Sequence, residues 1–144
     1  MKTTCELLKK MPHPLRWILC TVLISCCLGY SYGQTGNTLA NPVVAGSFGS
    51  AFQYSNSQNT DDFTNDYVGR PNNDVFYKFT LTVPMTVTIS HCGSTLGDTY
   101  LHLLDASGNR IAYNDDYSGQ CSSHYHSYLK KVLYAGTYYV VSEG

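Results

Sequence analysis

The sequence predicts an all-β protein, an antiparallel β-sandwich of the jelly-roll kind. Three observations carry that prediction. Between Asp74 and Ser90 apolar and polar residues alternate with a period of two, the mark of strands with one buried face. Strand-length patches then recur with Gly, Asn, Asp and Ser between them, and these are turn residues. Beyond residue 33 Glu, Lys and Ala are scarce and no stretch has a helical period, so helix has little support there.

The first 33 residues read differently. Lys2, Lys9, Lys10 and Arg16 precede an apolar run from Trp17 to Leu28, followed by Ser31-Tyr32-Gly33. This is the order of a helical, removable signal peptide, with small residues at the cleavage site. The apolar run is shorter than the roughly 20 residues a spanning helix needs. Leu23-Ile24-Ser25-Cys26 also resembles a bacterial lipobox, in which acylation at Cys26 would anchor the chain to a membrane. The competing reading makes Cys26 and Cys27 apolar filler. Either way the chain is expected to be exported, secreted or displayed at a bacterial cell surface.

Removing residues 1–33 from 144 leaves 111, enough for one core and too few for two. Five Lys and Arg against nine Asp and Glu give that segment a formal charge of −4, which excludes nucleic acid and anionic lipid as partners drawn by charge. It holds eleven tyrosines. A tyrosine presents an apolar ring and keeps its hydroxyl wet, so a sheet rich in them can be half core and half contact surface.

From Gln34 to Asn41 the chain is small and polar and reads as a tether. Val43 to Tyr54, broken by Gly46 and Gly49, reads as one or two short or bulged lead-in strands. Residues 55–73 are rich in Asn, Asp, Ser and Thr, a long loop pinned by Phe63 and Tyr67. Asp74 to Val83 is a strand with Val75, Tyr77, Phe79 and Leu81 on one face and Phe76, Lys78, Thr80 and Thr82 on the other. Pro84 ends it, and Met85, Val87 and Ile89 alternate with hydroxyl residues in the next strand. Thr99 to Leu104 and Arg110 to Tyr113 form a hairpin around Asp105-Ala106-Ser107-Gly108-Asn109. Ser127 to Leu133 and Thr137 to Ser142 read as a last pair around Ala135-Gly136. The chain ends at Gly144, directly after strand-like residues, and a closing strand is missing from the pattern. A longer polypeptide, with further domains covalently linked beyond Gly144, is the expectation.

Cys92 and Cys121 are the cysteines beyond the leader. Both fall at loop ends, and an exported setting favours their disulfide. Asp98 opens the first hairpin strand and Asn114-Asp115-Asp116 closes the second, so four oxygen-bearing residues meet at one end, a candidate calcium site. The alternative is a capping aspartate beside an Asx-rich turn. His124 and His126 read as solvent-facing, and no Ser, His and acid stand at motif spacing for catalysis.

The segments Asn73–Leu81 (NDVFYKFTL), Gly97–Asp116 (GDTYLHLLDASGNRIAYNDD) and Ala135–Gly144 (AGTYYVVSEG), in that order, resemble the bacterial pre-peptidase C-terminal domain over residues 72–144. The resemblance implies a secreted, non-catalytic β-sandwich appended to proteases or other large exported enzymes. Such domains aid secretion, tether enzymes to surfaces or bind polymeric substrates, and calcium use varies among them. The chain departs from the pattern in Cys92 and Cys121 and in the missing final strand. The expected function is an accessory module that binds a polysaccharide or an extracellular protein through Tyr100, Tyr113, Tyr138 and Tyr139. Alternation allows only one of Tyr138 and Tyr139 to face the ligand. The alternatives are a spacer or secretion and folding aid with no ligand of its own, and a fragment of a secreted protease whose catalytic domain lies outside this chain.

Overall fold

The structure is a computed structural model that describes residues 33–117 and 119–144. The leader, its cleavage site residues Ser31 and Tyr32, and the lipobox all fall outside the described residues. Seven strands follow: β1 Val43–Phe48, β2 Asp74–Leu81, β3 Met85–Ser90, β4 Tyr100–Leu104, β5 Arg110–Asn114, β6 Tyr128–Leu133 and β7 Gly136–Glu143. The one other regular element among the described residues is a short 3-10 turn at Thr60–Asp62.

The strands form a five-stranded sheet in the order β1-β2-β7-β4-β5 and a two-stranded sheet, β3-β6. Phe79, Leu81, Leu101, Leu103 and Val140 from the large sheet share one buried cluster with Val87, Leu129 and Leu133 from the small one, which makes the two layers a β-sandwich. The antiparallel pairs are nested. β2 joins β7, β3 joins β6 and β4 joins β5, as in a jelly roll.

Two pairings differ from the sequence expectation. β6 and β7 do not form a hairpin: β6 lies beside β3, while β7 lies between β2 and β4. Ala135-Gly136 is a corner between layers, and a tight reversal has the same local chemistry whether the chain returns to its own sheet or crosses to the facing one. β1 runs parallel to β2, with a bulge between Val44 and Gly46, so the large sheet is mixed rather than purely antiparallel. The polar segment at 34–41 also lies against the sheet instead of hanging free. The Gly36 carbonyl accepts the Phe76 N–H at 2.7 Å. Gly36 has φ +98, and a Cβ there would lie 3.0 to 3.3 Å from Val43, Phe63 and Val75, so both its conformation and its close approach call for glycine.

The long loop is pinned as its aromatics foretold. Phe63 is buried, and Tyr67 meets Phe76 edge-on at 6.4 Å and His102 at 4.5 Å. Asp74 Oδ2 accepts the backbone N–H groups of Asp66 and Tyr67 at 2.8 and 2.7 Å, fastening the loop to the start of β2.

At the same end of the layers, Ser127 is fully buried. Its N–H donates to Thr99 Oγ1 at 2.9 Å, and its hydroxyl lies 2.6 to 3.0 Å from the carbonyl oxygens of Thr99, Asn114 and Asp115. Just beyond it the Cys92–Cys121 disulfide, with Cα atoms 4.8 Å apart, joins the exit of β3 to the loop that enters β6. The bridge closes a loop 29 residues long, which removes unfolded-state entropy worth roughly 3 to 4 kcal/mol. The Cys92→Ser, Cys121→Ser double variant is expected to lose about that much stability in urea unfolding, with a steeper transition, because the freed unfolded chain exposes more surface.

Candidate functional site

The outward face of the large sheet follows from register. Residues opposite one another share a face, and alternate residues along a strand return to it. Asp74, Glu143 and Tyr100 therefore form one row; Phe76, Val141, His102 and Tyr113 the next; Lys78, Tyr139, Leu104 and Arg110 the third. This face is not a plain polar exterior. Phe76, Leu104 and Val141 form a second buried cluster on it, covered by Leu39, Tyr67 and Tyr139.

Beside that cluster lies an aromatic strip. The Tyr100 and Tyr113 rings are stacked with centroids 5.9 Å apart and planes within 6°. The Arg70 guanidinium sits 4.8 Å over Tyr100, and that of Arg110 sits 4.8 Å over Tyr113, both within cation–π range. Tyr113 is 58% exposed. Arg70 Nη1 also donates to Asp115 Oδ1 at 2.8 Å, so the loop is tied to the strip as well. Tyr139 shares this face, with Lys78 Nζ 6.0 Å above its ring. Tyr138 does not. It points inward, stacks on Phe79 at 5.6 Å and donates its hydroxyl to the Tyr134 carbonyl, because alternation commits one of the two neighbours to the core.

An open hollow of about 420 Å³ opens on the same face, lined by Leu39, Tyr67, Phe76 and Leu104 with Asp66 and Thr38. Val68, 94% exposed, stands at its rim. A second, smaller groove of about 340 Å³ lies where β5 meets β6, lined by Tyr113, Tyr117, Tyr128, Lys130 and Lys131.

The candidate calcium residues are partly brought together. One carboxylate oxygen each from Asp98, Asp115 and Asp116 lie within 4.8 Å of one another. Asn114 is spent elsewhere: its Oδ1 accepts the Tyr128 N–H at 2.8 Å and its Nδ2 donates to the Asp116 carbonyl at 3.2 Å. Three carboxylates supply only part of the six to eight oxygens calcium takes, and Arg70 already neutralises Asp115. Asp105 sits at the far turn, accepting the Ser107 and Asn109 N–H groups at 2.9 Å. Those bonds hold its carboxyl below the usual carboxylate range.

Sequence reasoning missed a buried ionisable cluster. Asp74, His102 and Glu143 are 0 to 1% exposed. His102 Nε2 lies 3.2 Å from Glu143 Oε1, and Glu143 is the direct cross-strand neighbour of Asp74. Asp74 Oδ1, His102 Nδ1 and Glu143 Oε2 have no hydrogen-bond partner. Burial, opposed by the two backbone N–H bonds and reinforced by Glu143, pushes the Asp74 carboxyl up to about 6. A polar residue at an outward position is ordinarily wet. Only the loop that folds over this row makes it dry, and no local pattern announces that.

The histidines also depart from expectation. His124 is exposed, but His126 is buried with Nε2 3.0 Å from the Leu96 carbonyl oxygen. The pair lies in a turn, not a strand, so their rings diverge. His91 Nε2 and Ser142 Oγ share a 2.6 Å hydrogen bond, and burial together with neighbouring His126 depresses the His91 pKa to about 4.

No family model matches the sequence, and no curated protein matches it.

Asp74 and His91 oppose each other in pH. Asp74, raised from 3.8 to about 6, contributes stability that is present below 3.8 and lost as pH rises through 6. His91, lowered from 6.5 to about 4, contributes stability that is present above 6.5 and lost as pH falls toward 4. In thermal melts from about pH 6.5 down to 4, Asp74→Asn is expected to lose melting temperature more steeply than the parent. His91→Gln is expected to gain it.

Proposed function

We propose that this chain is a non-catalytic accessory module of an exported bacterial protein, secreted or held at the cell surface, that binds a polymer through the outward face of the large sheet. The observation that carries this reading is the Tyr100–Tyr113 strip with a guanidinium over each ring. Flat, half-wet rings stack on sugar faces and on extended protein chains, and no ordering of long side chains is needed because the strip is already assembled. Lys78 beside Tyr139 extends the same chemistry across the sheet. The resemblance to the pre-peptidase C-terminal domain agrees with such a role and with a neighbouring enzyme domain in the same polypeptide.

Ser142 and His91 supply a hydroxyl–imidazole contact, which a nucleophile and base would need. His91 Nδ1 has no partner to orient the ring, and a pKa near 4 suits a general base poorly at neutral pH. This supports a binding role over catalysis.

Retention on insoluble polysaccharides and on collagen tests the proposal. The parent is expected to bind one of them, and Tyr113→Ala or Arg110→Ala to weaken retention about tenfold or more, an effect of the size expected for stacked and cation–π contacts, with melting temperature nearly unchanged. Retention on none of them by the folded protein would leave the chain a spacer. Calcium belongs to the proposal through Asp98, Asp115 and Asp116. Millimolar calcium is expected to raise the melting temperature of the parent and not of Asp98→Asn, and an unmoved parent would remove the ion from this reading.

A further inference from the structure

The groove of about 340 Å³ between β5 and β6 has a chemistry of its own. Its β5 wall carries Tyr113, with the Arg110 guanidinium 4.8 Å over the ring. Its β6 wall carries Tyr128 and the exposed Lys130, and Tyr117 stands at one end, its ring 5.1 Å from that of Tyr128 and tilted by 31°. Alternation places one more cation there. Leu129 and Leu133 point into the core, so Lys131 between them belongs to the inward set of β6, yet it is only half-buried and lines the groove.

The ion pairs among the described residues are Arg70–Asp115 and His102–Glu143, so Arg110, Lys130 and Lys131 have no carboxylate partner there. They are three of the five cations beyond residue 33. A charged side chain on a strand at the rim of a layer guards that edge against mispairing. Edge protection alone does not call for three tyrosines beside the same cations. The formal charge of −4 on residues 34–144 opposes polyanions at a distance, but screening confines each charge to about 8 Å at physiological salt, and on the walls of the groove the local balance is reversed. Asp116, between the lining residues Asn114 and Tyr117, puts one negative charge at that end, while Asp115 is already paired with Arg70.

We infer that this groove takes a polysaccharide bearing carboxylates on its sugar rings, with sugar faces against Tyr113, Tyr117 and Tyr128 and acid groups beside Arg110, Lys130 and Lys131. The inference rests on the polymer-binding reading and names its ligand class, because Tyr113 belongs both to the aromatic strip and to the groove. Rings supply flat apolar area with a wet hydroxyl, and the lysines supply charge without a fixed geometry. A nucleic acid strand suits the groove less well. It carries a phosphate at every residue and takes a continuous basic track, which Asp116 interrupts.

Binding of the whole protein is measured in solution to polygalacturonate, with neutral dextran, polyglutamate and oligothymidylate as comparison polymers. Polygalacturonate is expected to bind about tenfold or more tighter than any of them and to lose that margin in high salt, as screened charges do. Lys130→Gln and Lys131→Gln are each expected to weaken it about threefold, the size of an exposed ion pair. Lys130→Arg and Lys131→Arg should retain it, with melting curves checking that every variant is folded. Equal binding of polyglutamate reduces the groove to bare charge, and tighter binding of oligothymidylate assigns it to nucleic acid; either result overturns the inference. So does polygalacturonate binding that both glutamine variants keep in full, which leaves the lysines as edge guards. If a neutral polysaccharide or collagen is retained through Tyr113 and polygalacturonate is not preferred, this inference falls and the polymer-binding reading stands. Retention on no polymer removes both.

Discussion

One buried hydroxyl sets the geometry of one end of this sandwich. Ser127 touches the first residue of the β4 approach, the last residue of β5 and the residue beyond it, and its own chain then enters β6. Three segments from both layers meet at a single side chain. The carboxylates of Asp98 and Asp115 come close because the residues next to them, Thr99 and Asn114, are bound to that point. The disulfide is set beside it, where the His91 N–H donates to the Ser127 carbonyl at 2.9 Å. Such a network is strong when complete and costly when a member is lost.

The opposite face of the large sheet is governed by dryness. Aligned carboxylates at cross-strand positions repel, yet Asp74 and Glu143 are neighbours and both are fully buried. Two things make this tolerable. Asp74 accepts two loop N–H groups, and Glu143 meets His102. The same bonds that relieve the carboxylates hold the loop down, and the loop carries Tyr67 onto His102 and Arg70 onto Tyr100. The aromatic strip is thus assembled by an electrostatic problem and its solution in the row that Tyr100 shares with Asp74 and Glu143.

Much of the strand order was legible because alternation is a local signal. Val75, Phe79 and Leu81 announce the inner face of β2, and Val87 that of β3. The disulfide followed from the position of two cysteines at loop ends, and the nearness of Asp98 to Asp115 from hairpin geometry. The rest needed three dimensions. Ala135-Gly136 has the same residues in a hairpin as in a corner. Phe76 occupies the outward set of β2 and is buried, because residues 63–70 fold back over it. Tyr138 and Tyr139 were interchangeable until register put the first on Phe79. Asn114 looked like a ligand and serves as a backbone acceptor.

Nesting has a kinetic side. β2 finds its antiparallel partner only in β7, and β3 must wait for β6, so the β4–β5 hairpin and the parallel β1–β2 pair are the pairings available before them. Folds dominated by distant pairings close slowly, on the scale of milliseconds to seconds. A nascent chain threaded lengthwise through a narrow conduit could pair those strands as they emerged, and could close the two layers only after β6 and β7 had followed.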